Sequence, residues 1–319
     1  MKPNKIKQLW SQGKPVTLGW ISIANSFSAE IMARQGFDAV CVDMQHGVTG
    51  LANLMEMLQA VSATDAAPVV RVGWNEPAAI MKALDFGASA IIVPLINNAA
   101  EARKAVSACR YPPVGDRSSG PVRALQIHGP EYFSKANDEI LLMAMIETKE
   151  GLNNLEEICA TPGIDVIYIG PADLSYALGM PPRSDNPDPL HISTCDRIKE
   201  VAHRHGKKVC MHCASAEFAA ASVKRGFDMV MITSDLNSMI AGVKRQITNF
   251  HEALKASQLA SNCARVTLPG FCLLLASVPS PRIRQRCLTF SGPVLRQQHE
   301  YSKPMKKVEW GSRCFGHID

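Results

Sequence analysis

Long apolar runs are missing from this 319-residue chain. The most apolar stretch of its tail, Val266–Val278, spans 13 residues and is interrupted by Pro269 and Gly270, so it is too short and too broken to cross a membrane. The start, Met1-Lys2-Pro3-Asn4-Lys5-Ile6-Lys7, is basic, but no apolar segment follows it, which argues against a secretory signal and makes the cytoplasm the default location. No G-x-G-x-x-G or P-loop follows any candidate strand, so nucleotide binding has no motif support. Regular cysteine spacing is also lacking. The 10 cysteines are scattered, as expected of reduced thiols rather than a disulfide framework.

The net charge of +5 is unevenly spread. From Leu254 to Asp319 there are ten Lys and Arg against three Asp and Glu, which leaves 24 against 26 for residues 1–253. The basic excess therefore belongs to the tail, and the body of the chain has no charge pattern suited to nucleic acid.

With 46% hydrophobic and 20% charged residues, the composition suits a globular protein with one large α/β domain or two smaller ones. Apolar runs bounded by turn signals predict eight strands: Val16–Ile21, Ala39–Val42, Val69–Val72, Ala90–Pro94, Leu141–Ile146, Val166–Ile169, Lys208–His212 and Met229–Thr233. Helix-like segments follow them, the clearest being Ser28–Gln35, Leu51–Ala63, Pro77–Phe86, Ala99–Cys109, Leu152–Ala160, Thr194–His205, Ala216–Lys224 and Leu236–Leu254. Gly36, Gly87, Gly206 and Gly226 read as helix C-caps. Eight alternating units in residues 1–253 predict a (β/α)8 TIM barrel, with a doubly wound open sheet as the alternative. Residues 254–319, rich in Ser, Pro, Arg and Cys and without a sustained period, read as a poorly ordered or loosely attached C-terminal extension.

In a barrel, the C-terminal strand ends carry the chemistry. Those ends hold Asp43 and His46 after strand two, Arg71 on strand three, Glu147 after strand five and Asp173 after strand six. Neighbouring parallel strands lie about 4.8 Å apart, so Glu147 and Asp173 can converge. Two convergent carboxylates repel unless one is protonated or a cation lies between them, and an oxygen-only pair suits a hard ion such as Mg²⁺ or Mn²⁺. Structural readings compete. Asp43 could cap the next helix, Glu147 could favour a helix dipole, Asp173 could N-cap a short helix at Leu174–Leu178, and Arg71 could pair with a rim carboxylate. The tight turn Gly170-Pro171-Ala172-Asp173 can aim backbone N–H groups at an anion. The loop Tyr111–Gly120 reads as substrate-facing or as plain surface. Cys210-Met211-His212-Cys213 has C-x-x-C spacing, but strand alternation sends its thiols to opposite faces, so neither zinc nor a redox pair is expected.

These residues resemble the HpcH/HpaI aldolase family of metal-dependent pyruvate aldolases. The likeness is carried by Val42-Asp43-Met44-Gln45-His46-Gly47, Arg71 with Asn75-Glu76-Pro77, Leu84-Asp85-Phe86-Gly87-Ala88 and Val93-Pro94. It continues through Arg110-Tyr111-Pro112-Pro113-Val114-Gly115-Asp116-Arg117, Ile146-Glu147-Thr148 and Ile169-Gly170-Pro171-Ala172-Asp173-Leu174-Ser175. The resemblance implies that Glu147 and Asp173 hold a divalent metal (Mg²⁺, Mn²⁺ or Co²⁺) that chelates a 2-oxo acid, with Arg71 by the keto oxygen. It also implies His46 as general base, oriented by Asp43, with the substrate carboxylate on backbone N–H groups around Gly170, Pro171 and Ala172 and Trp20 walling the pocket. Cleavage of a 4-hydroxy-2-oxo acid to pyruvate and an aldehyde is the implied reaction, and a homo-oligomer, a hexamer in the family, the implied assembly. Two positions depart from the pattern: Met145 stands where well-known members have Gln, and Gln45 replaces an acid between Asp and His. The alternatives are a related C–C lyase of the macrophomate synthase or citrate lyase β type, or a non-catalytic barrel used for binding or assembly.

Overall fold

The computed structural model describes residues 1–266, with side chains through 259. Strands β1 (Val16–Ile21), β2 (Ala39–Asp43), β3 (Ala67–Arg71), β4 (Ala90–Val93), β5 (Leu141–Ile146), β6 (Val166–Ile169), β7 (Lys208–His212) and β8 (Met229–Ser234) run parallel in sequence order and close into a barrel. Closure excludes the open sheet, because β8 pairs with β1, Val16 opposite Met229 and Thr17 opposite Val230.

The helices are α1 (Lys5–Ser11), α2 (Ser26–Ala33), α3 (Leu51–Ser62), α4 (Pro77–Asp85), α5 (Ala99–Cys109), α6 (Val122–His128) and α7 (Tyr132–Glu139). They continue as α8 (Lys149–Asn153), α9 (Leu155–Ala160), α10 (Pro171–Ala177), α11 (Pro189–Arg204), α12 (Ala216–Lys224) and α13 (Asp235–Val266). The four expected glycine caps all adopt left-handed φ. The helix expected at Leu152–Ala160 is instead two helices that break at Asn154, the first capped by the Thr148 hydroxyl. Helix α13 runs past Leu254, where the sequence reading ends it, because Lys255–Ser261 contains no Gly or Pro to stop it. The chain divides into two units, Met1–Ala256 and Ser257–Asp319. The barrel belongs to the first, and the described part of the second is the end of α13. The extension expected to be poorly ordered lies, beyond Val266, outside the described residues.

Strands β2, β4, β5 and β6 are buried along their whole length, the pattern of parallel strands covered on both faces. Alternation splits their side chains into two cores. Val40, Val42, Ile91, Leu142, Ile146, Ile167 and Ile169 face the helices. Leu18, Trp20, Cys41, Val69, Ile92, Met143, Met145, Tyr168, Cys210 and Met231 fill the barrel interior.

Helix α1 closes the N-terminal end of that interior. Asn4 caps it with its side-chain oxygen on the Ile6 N–H, while its amide donates to the carbonyls of Ser89 and Glu139. Ile6, fully buried, joins the interior core with Leu9 and Trp10 packed behind it. Replacing it with Ala is expected to cost about 2–5 kcal/mol through lost burial and the cavity left behind. Denaturant unfolding of Ile6→Ala checks this, and a change under 1 kcal/mol would mean that the plug is not part of the core.

Candidate active site

The barrel's inner face continues past its apolar core by one more alternation step. Cys41, Val69, Met145 and Cys210 point inward, so the residues two positions on, Asp43, Arg71, Glu147 and His212, face the same axis at the C-terminal mouth. A cavity of about 260 Å³ opens there, lined by Trp20, His46, Arg71, Met145, Glu147, Gly170, Pro171, Ala172 and Asp173, with Ser22, Ser184, His212 and Ser234 also on its wall. Apart from Asp43, every residue assigned to the site from the sequence lines this cavity.

Asp43 lies beneath the wall and organises it. Register places Asp43 opposite Arg71 on the neighbouring strand, and the two pair through Nε at 2.8 Å and Nη2 at 2.6 Å. The carboxylate also accepts from the indole N–H of Trp20 at 3.3 Å and from the backbone N–H groups of Gln45, His46 and Gly47. Burial raises its pKa, but the Arg71 hydrogen bonds and charge and those backbone donors outweigh burial, leaving it below the usual carboxylate value. Arg71, also buried, is held above its ordinary value by the same partner and lies over the Trp20 ring, Cζ to centroid 4.8 Å.

This changes the role expected for Asp43. Among the described residues its contact with His46 is to the backbone N–H, not the imidazole, because Arg71, Trp20 and the turn already fill both oxygens. Asp43 therefore orients the turn that carries His46. The ring of His46 is exposed on the cavity wall. A Cβ at position 47 would lie 2.3 Å from the Asp43 carbonyl oxygen, so the turn needs Gly47.

Glu147 leaves β5 just before the Thr148 cap of α8, so it precedes that helix rather than serving as one of its dipole residues. It is 3% exposed. Oε1 accepts from the Leu95 N–H at 3.0 Å, and Oε2 has no protein partner among the described residues. Leu95 makes that contact in the left-handed region, φ 55°, the one described non-glycine residue with positive φ. A Cβ at Gly170 would lie 2.1 Å from Glu147 Oε2, so only glycine leaves room for the carboxylate. Burial, aided by the charge of Asp173 and opposed by Leu95 and Arg71, pushes Glu147 up to about 7.

Asp173 sits exposed in the first turn of α10, whose N-cap is Gly170, rather than capping a helix that begins at Leu174. His191 and the Ser175 hydroxyl both bond to the Pro171 carbonyl, at 3.1 and 2.7 Å, and anchor this turn from behind. No group of three or more His, Cys, Asp or Glu side chains gathers around a metal position among the described residues. Glu147 and Asp173 thus form a two-carboxylate, oxygen-only pair. One member is buried, with a free oxygen and a raised pKa, and this fits a hard cation that takes its remaining ligands from water and substrate.

One sequence expectation changes. The Tyr111–Gly120 loop is not on the cavity. It follows α5 and leads back toward the N-terminal strand ends, where Arg110 binds the Ile140 and Gly163 carbonyls and Asp165, and Arg117 pairs with Asp85. Within Cys210–Cys213 the thiols do face different cores, as alternation requires. His212, which the sequence reading did not single out, lies on the cavity, and its position two residues after inward Cys210 is the signal for it.

The family model described as HpcH/HpaI aldolase/citrate lyase matches residues 17–242. A hydroxypyruvate/pyruvate aldolase of Rhizorhabdus wittichii is 39% identical over 244 residues, covering 76% of this chain and 97% of that enzyme. A 4-hydroxy-2-oxo-heptane-1,7-dioate aldolase of Salmonella paratyphi B is 39% identical over 257 residues, covering 80% of this chain and 97% of its own length. Among solved structures, an HpcH/HpaI aldolase/citrate lyase family protein from Burkholderia cenocepacia superposes with TM-score 0.73 at 26% identity, covering 78% of this chain and 99% of its own. With the barrel, the mouth cavity and these likenesses together, the chain belongs to the HpcH/HpaI aldolase/citrate lyase family of C–C bond-cleaving enzymes.

Proposed function

We propose that this protein is a divalent-metal-dependent aldolase that cleaves a 4-hydroxy-2-oxo acid to pyruvate and an aldehyde, and catalyses the reverse addition. The observation that carries this reading is the buried Glu147 carboxylate, with Oε2 unpaired beside Gly170 and its pKa pushed up to about 7, facing Arg71 across one cavity. Glu147 and Asp173 hold the ion, which supplies Lewis-acid stabilisation of charge on the keto oxygen.

The chain's own groups do the rest. The N–H groups of Ala172 and Asp173, in the first turn of α10, have no intrahelical acceptor and receive the substrate carboxylate, with Gly170 and Pro171 shaping the turn. Arg71 uses Nε and Nη2 on Asp43, leaving Nη1 for the oxygen at C2 as it gains negative charge. His46 takes the proton from the 4-hydroxyl. The C3–C4 bond then breaks, its electron pair forming the enolate and the former C4 leaving as aldehyde. Protonation at C3 completes pyruvate. Trp20 and Met145, 3% and 1% exposed, keep water from the reacting carbons.

The favoured metals are Mg²⁺, Mn²⁺ and Co²⁺. Thorough chelation is expected to abolish pyruvate release from 4-hydroxy-2-oxo acids, and adding one of these ions back to restore it. Undiminished activity after chelation would sink the metal reading, and inactivity with every ion would favour a non-catalytic barrel.

Glu147→Gln is expected to lose turnover while stabilising the metal-free protein at pH 8. A carboxylate whose folded pKa is raised costs stability as pH climbs from its unfolded value through about 7, and the amide removes that cost. The gain is on the order of 1–3 kcal/mol, read from unfolding of the chelated protein. A destabilised variant would contradict this electrostatic picture.

His46→Ala is expected to lower cleavage by roughly 10²–10⁴-fold while leaving metal affinity intact. Wild-type cleavage rates in this variant would remove His46 as the base.

The enzyme in this reading is a cytoplasmic homo-oligomer. The six cysteines whose side chains are described are free thiols, which supports a reducing compartment. Helix α13 exposes Leu236, Met239, Ile240, Val243, Ile247 and Phe250 at spacings of three and four, an apolar stripe suited to a second copy of the chain. Sedimentation velocity is expected to give a multimer, hexameric as in the family, that dissociates in a Val243→Lys/Ile247→Lys variant. A monomeric parent protein would overturn the assembly.

A further inference from the structure

One cavity residue has no part in the chemistry above. His212 ends β7 between β6 and β8, with its ring edge-on to Trp20 at 4.9 Å between centroids. Its Nδ1 lies 2.8 Å from the hydroxyl of Tyr168, which is fully buried in the barrel interior.

That contact sets the imidazole tautomer. The Tyr168 phenol has one proton to donate, and Nδ1 is its one hydrogen-bond partner of good geometry among the described residues. If Nδ1 carried the proton instead, the phenol O–H would be left buried without a good acceptor, an arrangement that costs more than the hydrogen bond is worth. Burial raises the Tyr168 pKa well above its usual value, so the phenol keeps its proton. Burial, with the charge of Arg71 adding and that of Asp43 opposing, pushes His212 down to about 3, so the ring stays neutral. A neutral imidazole accepting at Nδ1 carries its proton on Nε2.

Nε2 has no protein partner among the described residues, and the ring belongs to the cavity wall. Met231 and Trp20, on the strands that follow in the barrel, share this side of the wall with Ser234 of β8 and with Ser22 just after β1. The two carboxylates belong to the β5–β6 side. A donor whose proton is fixed by a buried partner, on the wall away from the carboxylate pair, is a recognition element for an oxygen on the part of the substrate that the metal does not hold.

We propose that His212, its tautomer held by Tyr168, is a specificity-determining residue whose Nε2–H donates to a hydroxyl group on the substrate, so that the enzyme prefers hydroxylated reactants over their deoxy analogues. This rests on the aldolase reading given above. The hydroxyl has two possible sources, C3 of the 2-oxo acid nucleophile or the carbon beside the aldehyde, and both present the same acceptor oxygen.

Aldol addition with wild-type protein and each variant separates them. One arm compares hydroxypyruvate with pyruvate at fixed aldehyde, and the other glycolaldehyde with acetaldehyde at fixed pyruvate. Each is read as a ratio of kcat/KM, with thermal unfolding to establish that each variant is folded. In His212→Phe, which keeps a ring against Trp20, the hydroxyl-to-deoxy ratio is expected to fall roughly 10-fold on one arm, the loss appropriate to one neutral hydrogen bond. The arm that responds identifies the source. His212→Gln, which retains a donor, is expected to recover part of the ratio, and Tyr168→Phe to lower it on the same arm by releasing the tautomer. Unchanged ratios on both arms in His212→Phe, or equal losses with hydroxylated and deoxy substrates, would overturn the proposal. An unchanged ratio in Tyr168→Phe would overturn the tautomer lock. A wild-type protein inactive with every pairing would instead defeat the aldolase reading, a result distinct from either.

Discussion

The buried pair of Asp43 and Arg71 is the interaction on which the site depends. It joins neighbouring strands at matched register, and its two short hydrogen bonds, at 2.8 and 2.6 Å, take both groups out of water together. Such a pair gains little net stability over an apolar replacement, whereas removing one partner costs about 3–5 kcal/mol, because the other is then left charged and buried. What it provides here is position. The Asp43 oxygens gather the Gln45–Gly47 turn and the Trp20 indole, and Arg71 presents a fixed positive charge to the cavity. The same charge reaches across the mouth to bias Glu147 toward ionisation and His212 toward neutrality.

A second constraint acts on the opposite wall. Glu147 is kept in an apolar setting that disfavours its charge, with one backbone donor where a stable structural carboxylate would have several. Leu95 adopts a left-handed backbone to supply that donor, and Gly170 forgoes a side chain to leave room for the second oxygen. Local strain, a missing side chain and an unfavourable charge converge on one carboxylate, that of Glu147. Proteins tolerate such costs where a ligand offsets them. The Asp43–Arg71 side of the mouth is electrostatically satisfied, and the Glu147–Asp173 side is unsatisfied. In the proposed reaction that asymmetry sets a fixed guanidinium opposite the carboxylate pair proposed to hold the cation.

Met145 and His212 give the cavity its individual character. The first sets a buried thioether beneath the mouth, and the second an imidazole in contact with the Tyr168 hydroxyl on the wall. His46, Arg71, Glu147 and Asp173 line the same cavity, with Asp43 beneath its wall.

Strand positions, barrel closure and most of the residues that line the mouth cavity are legible in the sequence, because a parallel strand buried on both faces must be a short apolar run and alternation carries its inner face on to the next polar residue. Asp43, Arg71 and Glu147 are therefore visible as strand-end residues two positions beyond an inward core residue. His212 obeys the same rule, two positions beyond inward Cys210 and inside a C-x-x-C spacing. The placement of Tyr111–Gly120 away from the cavity, the saturation of Asp43 by Arg71 and the turn, the left-handed Leu95 and the vacancy at Gly170 were decided only by the tertiary structure. The Asp43–Arg71 pair joins residues 28 positions apart and the Leu95–Glu147 contact residues 52 apart, where distance and desolvation set the outcome and local pattern carries no trace of it.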